Sequence, residues 1–114
     1  MGGYKKGNGP VVKIIFSKIA KRDLKHIYNY IKQDSVRYAI LEKEKLKTAI
    51  DKLYFQPDLG KVFPKFNDER YRELIHSHYS IIYKIESSKQ ILILSIHHHA
   101  RLLSNNPAFS DDDE

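Results

Sequence analysis

Arg70-Tyr71-Arg72-Glu73-Leu74-Ile75, Tyr79-Ser80-Ile81-Ile82-Tyr83 and Ile91-Leu92-Ile93-Leu94-Ser95-Ile96-His97-His98-His99-Ala100-Arg101-Leu102-Leu103 follow one another in the second half of the chain and decide its fold. Each run is rich in the β-branched and aromatic residues that fit a pleated, half-buried surface. The pattern predicts strands over Arg70 to His76, Tyr79 to Ile85 and Ile91 to His99. The links between them, at Ser77-His78 and over Glu86 to Gln90, are short enough to force antiparallel hairpins. Tyr79, Ile81, Tyr83 and Ile85 alternate onto one face of the middle strand, the face expected to meet helices. On the last strand the same period groups Leu92, Leu94, Ile96 and His98. It leaves Ile91, Ile93, Ser95, His97 and His99 on a half-apolar opposite face.

Upstream, Val11 to Phe16 reads as a buried first strand between Pro10 and Ser17. Ser17 has the hydroxyl of an N-cap, and Ala20, Leu24, Ile27 and Ile31 then recur on one face of a helix running to about Gln33. Asp34-Ser35 breaks the pattern with N-cap chemistry. A second helix comes next with an apolar stripe of Tyr38, Leu46, Ala49, Ile50 and Leu53, ending before Pro57. Helices joined by so short a turn are antiparallel neighbours and form a rigid arm. Pro57 to Glu69, with Gly60, Pro64 and Asn67-Asp68, reads as a loop. The order β-α-α-β-β-β predicts an α+β domain, an antiparallel sheet packed on one side by a long antiparallel helical hairpin. Residues 1–10, with four of the five glycines, read as a flexible leader or expression remnant. Residues 11–103 form the domain, and 104–114 form a C-terminal segment whose acidic tail is expected to be disordered.

A chain of 114 residues suits one domain, and 41% hydrophobic residues suffice for one modest core. The absence of cysteine excludes disulfides, thiolate metal sites and thiol nucleophiles, and it fits a reducing cytoplasm. No apolar run approaches the roughly 20 residues that cross a bilayer, and no signal-peptide core precedes the first strand. No membrane role is expected. The net charge of +6 conceals an asymmetry. Asp111 to Glu114 hold four of the 14 acidic residues, so residues 1–110 carry +10. Such a body favours an anionic partner, either nucleic acid or an acidic protein segment, unless the lysines are only a solvated coat.

Four motifs, in order, carry a family resemblance over about Val11 to Leu103. Ile14-Ile15-Phe16-Ser17 leads into Asp23-Leu24-Lys25-His26-Ile27-Tyr28-Asn29-Tyr30-Ile31. The second helix ends on Leu53-Tyr54-Phe55-Gln56-Pro57-Asp58-Leu59-Gly60-Lys61. Arg72-Glu73-Leu74-Ile75 precedes Tyr79-x-Ile81-Ile82-Tyr83, and the run closes on His98-His99-Ala100-Arg101-Leu102-Leu103. Together these resemble the RelE/ParE toxins of type II toxin–antitoxin systems, and the ParE branch more closely. The resemblance implies the cytoplasmic toxin of a plasmid-stabilisation module that inhibits growth. A cognate antitoxin would silence it, DNA would be touched only through that antitoxin, and no cofactor would be needed.

Two chemistries exist among such toxins. RelE-type members cleave messenger RNA in the ribosome, whereas ParE-type members poison DNA gyrase by binding. The ribonucleases resemble one another in placing sheet arginines and an acid–base group around the scissile phosphate, where preorganised charge lowers the barrier. Here Arg101 matches one such arginine. Ile75 and Ser80 stand where two branches place others, and Ser104-Asn105-Asn106-Pro107 offers no tyrosine after the last strand. The long helices with Tyr28-x-Tyr30-Ile31 also look like the ParE branch. The expectation is a gyrase inhibitor without enzymatic activity. The alternatives are a ribosome-dependent endoribonuclease and a non-toxic binding relative.

Arg72, His98 and Arg101 are the candidate catalytic residues. For Arg72 the structural alternative is a salt bridge to Glu73 or Asp68, and for Arg101 a pairing with the acidic tail. A histidine's reference pKa of about 6.5 suits acid–base work, yet the phase of His98 with Leu92, Leu94 and Ile96 also fits a hydrogen-bonded histidine at the core margin. His97 to His99, with His76 and His78, invite a metal reading. No acidic or cysteine ligand lies beside them, so no metal is expected. Lys21, Lys25, Lys43, Lys45, Lys47 and Lys52 are a solvated face or a docking surface for gyrase or antitoxin.

Overall fold

In the computed structural model, which describes residues 13–98, the chain runs β1 (Lys13–Phe16), α1 (Lys18–Lys32) and α2 (Val36–Asp51), then a 3-10 turn (Lys52–Tyr54). The strands β2 (Lys61–Val62), β3 (Tyr71–His76), β4 (Tyr79–Ser87) and β5 (Gln90–His98) complete it. The leader, Val11 and Val12 of the expected first strand, His99, Arg101 and the segment 104–114 lie outside the described residues.

Both helix starts follow from their caps. The Ser17 hydroxyl accepts the Ala20 N–H at 3.0 Å and the Ser35 hydroxyl accepts the Tyr38 N–H at 3.0 Å. Each cap satisfies a donor that the first turn leaves orphaned, worth about 1 kcal/mol. Ala20 and Ile27 are buried, with Leu24 and Ile31 packed beside them, as the spacing predicts. On α2 the stripe is Ala39, Glu42, Leu46, Ala49 and Ile50, continued by Leu53 in the 3-10 turn. Tyr38 is not part of it: its side chain is 53% exposed, because Ala39 holds the inward phase.

The five strands form one sheet in the order β1-β5-β4-β3-β2. Its α+β architecture is as expected, but the sheet is mixed rather than antiparallel, since β1 lies parallel to β5 with Ile14 beside Ile91 and Phe16 beside Ile93. A parallel neighbour requires a long crossover, and the two helices and three intervening strands supply it. The stretch read as a plain loop contains β2, whose Lys61 and Val62 pair with Glu73 and Arg72.

The last strand departs from a simple alternation. Tyr83 pairs with Ile93 but Ile82 pairs with Ser95, so Leu94 is a bulged extra residue. The core face of β5 is therefore Ile91 and Ile93 before the bulge, then Ile96 and His98 after it. This overturns the expected grouping of Leu92 and Leu94 with Ile96. The bulge sits where β1 hands over to α1. There the Ser17 N–H donates to the Ile93 carbonyl at 3.0 Å and the Ser17 hydroxyl to the Leu94 carbonyl at 2.9 Å. Two residues before the strand ends, the Asp23 carboxylate of α1 accepts the Ile96 N–H at 2.9 Å. The helical arm is thus tied along β5 and runs in the same sense as the strand.

Tyr79, Ile81 and Tyr83 meet Ala20, Ile27, Leu46, Ile50 and Leu53 in one core, with Ile85 packed at its edge, so the predicted helix-facing side of β4 is the observed one. Each fully buried aliphatic there contributes about 1.5–3 kcal/mol.

Candidate functional site

Arg72 pairs with Tyr83 across β3 and β4 and lies on the helix side of the sheet. Its Nε donates to the Glu69 carbonyl at 3.0 Å. Its Nη1 donates to the carbonyls of Asp58 at 3.3 Å and Gly60 at 3.1 Å. Neither salt bridge considered from the sequence forms: Asp68 instead holds Arg70, at 2.9 Å. That pairing draws the Asp68 carboxyl below its usual range, first through the Arg70 side-chain hydrogen bond. The Asp58 and Gly60 carbonyls belong to a tight turn fastened by Tyr83, whose hydroxyl donates to the Pro57 carbonyl at 2.7 Å and accepts the Gly60 N–H at 2.9 Å. A Cβ on Gly60 would stand 2.8 Å from the Glu73 carbonyl oxygen, so only glycine passes there unshifted.

His98 is half-buried at the far end of β5, with its ring edge-on to Tyr79 at 4.9 Å and 6.0 Å from the His78 ring. Burial first, and then the Glu42 carboxylate, push the Tyr79 phenol up to about 12. His97 points to the opposite face, where its Nε2 is 3.3 Å from the Ser95 hydroxyl. Arg101 and His99 lie outside the described residues. Of the other two catalytic candidates, Arg72 pairs with Tyr83 and His98 with Tyr79, four positions apart along β4, so these two are not brought together. Among the described residues no group of three or more histidines and carboxylates is placed to hold a metal.

The helix-free face carries Tyr71, Glu73 and Ile75 from β3, Ser80, Ile82 and Lys84 from β4, and Leu92, Ser95 and His97 from β5. Ile75 is 46% exposed, and Ser80, only 4% exposed, donates its hydroxyl to the Glu73 carboxylate. None of these strand positions is an arginine. Phe66, from the turn after β2, leans on Tyr71 with ring centroids 4.6 Å apart, and Lys84 lies 5.5 Å from the Tyr71 ring centre. Phe63, Phe66, Ile82, Leu94 and His97 line a hollow of about 390 Å³.

A larger cavity, about 430 Å³, opens between β1 and the helices. Ile14, Phe16, Leu24, Leu46, Ile50 and Tyr54 make it apolar, and Lys21, Lys43 and Lys47 outnumber the carboxylates Glu44 and Asp51 among its lining residues. It shares Lys21, Leu24 and Lys43 with a smaller hollow that also takes in Lys25 and Tyr28. The two form one trough with a lysine rim. Lys32 and Lys43 each lie 5.6 Å from the centre of the Tyr28 ring, cation–π contacts that hold both near the rim. Of the hairpin lysines named from the sequence, Lys45 and Lys52 border a different hollow beside His76. Sequence reasoning missed Asp23 and the bulge at Leu94, and neither carries a local sequence signal.

A family model described as ParE toxin of type II toxin-antitoxin system, parDE, matches residues 14–103. Among solved structures, a chain of one described as "Chromosomal ParDE TA system from P. aeruginosa" superposes with a TM-score of 0.63 at 19% identity. The match covers 79% of this chain and 98% of that one. At that identity it speaks for the fold. None of the curated proteins compared matches the chain.

Proposed function

We propose that this chain, which belongs to the ParE toxins of type II toxin–antitoxin systems, inhibits DNA gyrase by binding and consumes no substrate. The observation that carries the reading is the disposition of the sheet's cations. Arg72 is committed to three backbone carbonyls on the helix side. Ile75 and Ser80 occupy the positions where ribonuclease relatives would present arginines. A phosphate on the helix-free face would meet few preorganised cations to stabilise a developing charge. A binder needs none. It holds one state of its target, here gyrase on cleaved DNA, by having a higher affinity for that state than for the others.

The partner that silences it is a cognate antitoxin whose acidic or amphipathic segment covers the trough. The apolar floor between β1 and the helices supplies the contact area, and the lysine rim supplies attraction and a faster encounter. DNA is met through that antitoxin. Among the described residues no helix is long and apolar enough to cross a membrane.

Supercoiling by purified gyrase, measured beside translation by purified ribosomes, tests the proposal. Inhibited supercoiling with untouched translation is expected. The reverse result would assign the chain to messenger RNA cleavage, and indifference of both would leave a non-toxic binding relative. Co-purification with the product of an adjacent small open reading frame tests the antitoxin.

A further inference from the structure

The family match ends at residue 103, and residues 104–114 have a chemistry of their own: Phe109 stands two residues before Asp111-Asp112-Asp113-Glu114. The trough offers the complementary set. Lys21, Lys25, Lys32 and Lys43 make no ion pair among the described residues, whereas Lys47 is already held by Asp51 at 3.5 Å. Placement agrees with charge. Because α1 runs alongside β5 in the same sense, with Ser17 at Leu94 and Asp23 at Ile96, the Tyr28 end of the trough lies towards the end where β5 finishes. From His98 to Asp111 an extended chain spans at most about 45 Å, close to the 49 Å longest dimension of the described fold. Because the Tyr28 end of the trough lies towards the end of β5, the span required is shorter than that dimension.

The geometry points to the chain's own residues 104–114 as an occupant of this trough, with Phe109 on the apolar floor and the four carboxylates on the lysine rim. Being tethered, the segment acts at an effective concentration on the order of 1 mM, so docking dominates once the free segment would bind more tightly than that. The consequence, though not the docking itself, rests on the toxin–antitoxin reading: the segment competes with an acidic antitoxin for the same lysines.

Methyl NMR of the full chain tests this without gyrase, ribosome or antitoxin. The native protein is compared with the full-length variant D111N/D112N/D113N/E114Q, which leaves the described fold untouched. Methyl resonances of Leu24, Leu46 and Ile50 are expected to differ between the two at 0.1 M salt. The native spectrum should move towards the variant's at 1 M, where the Debye length falls from about 10 Å to about 3 Å. K21E/K43E should reproduce the neutralised spectrum at sites remote from the substitutions, and adding D112K/D113K to it should restore the docked one. A synthetic peptide of residues 104–114, titrated into the neutralised variant, should shift the same methyls. Coincident native and neutralised spectra at those methyls would overturn the proposal. So would differences confined to Ile82 and Leu94 on the helix-free face. Either result leaves the gyrase reading standing, and a failure of that reading leaves the docking standing.

Discussion

Replacing Arg72 by alanine separates a structural arginine from one that serves a target. The guanidinium joins the Asp58, Gly60 and Glu69 carbonyls, at 3.3, 3.1 and 3.0 Å, and so closes the turn before β2 onto the turn before β3. The Asp58 and Glu69 bonds are exposed, and water replaces most of each, leaving about 0.5 kcal/mol apiece. The Gly60 bond is part-buried beside the Tyr83 hydroxyl, where water has less access, and a charged donor there is worth about 1.5 kcal/mol. The loss is roughly 2–3 kcal/mol. In a domain of this size each kcal/mol lowers Tm by about 4–8 °C, so a fall of about 10–20 °C is expected by calorimetry. Inhibition per mole of folded protein should be unchanged at a temperature where the variant is still native. Arg72→Lys should recover little, because an ammonium cannot span three carbonyls as the planar fork does. A variant with native Tm and abolished inhibition would refute the reasoning and return Arg72 to the functional surface.

Gly60→Ala drives a Cβ to within 2.8 Å of backbone at Glu73 and 2.9 Å of the Tyr83 ring, so the turn must shift. A loss of about 2 kcal/mol of stability, read as a lowered urea midpoint, is expected, and an unchanged midpoint would show that the turn moves freely. Asp23→Ala strips the carboxylate from the Ile96 N–H at about 1–3 kcal/mol, and exchange of that amide should accelerate by about 5- to 150-fold, with Asp23→Asn close to native. The Tyr79 phenol, raised from 10.0 to about 12, holds its proton more tightly folded than unfolded. Its contribution is therefore complete below about pH 10 and lost as the pH rises towards 12. Urea midpoints across that window should fall less steeply for Tyr79→Phe than for the native chain, and parallel curves would remove Tyr79 from the account.

Local rules were sufficient wherever one element decided the outcome. Ser17 and Ser35 announce helix starts through hydroxyls that have no better local partner, and both caps form. Tyr79, Ile81 and Tyr83 announce a core face because nothing interrupts their alternation. The errors arise where two distant segments meet. Leu92 and Leu94 alternate with Ile96 in the sequence, but a single extra residue reverses a strand's facing beyond it. That residue is placed by a serine 77 positions away in sequence. The parallel seating of β1 on β5 is equally non-local, since it joins the first described strand to the last.

The same division governs the candidate site. Arg72 is conspicuous as a residue type, yet whether its fork faces a ligand or its own backbone depends on the turn at Gly60, folded from another stretch of chain. The trough as a cavity is not legible in the sequence, because its floor draws on β1, α1, α2 and the 3-10 turn together. Its rim is a different matter. Lys21, Lys25 and Lys43 were already visible as a basic face, and the fold adds only that they share one crevice. Uncompensated lysines around an apolar floor favour an acidic, partly apolar peptide over a nucleic acid duplex. Such a peptide can bury side chains in the crevice while its carboxylates meet the rim, whereas a duplex would leave the floor exposed to water. The surface proposed to take an acidic segment is therefore more legible in the chain than any surface proposed to meet a target.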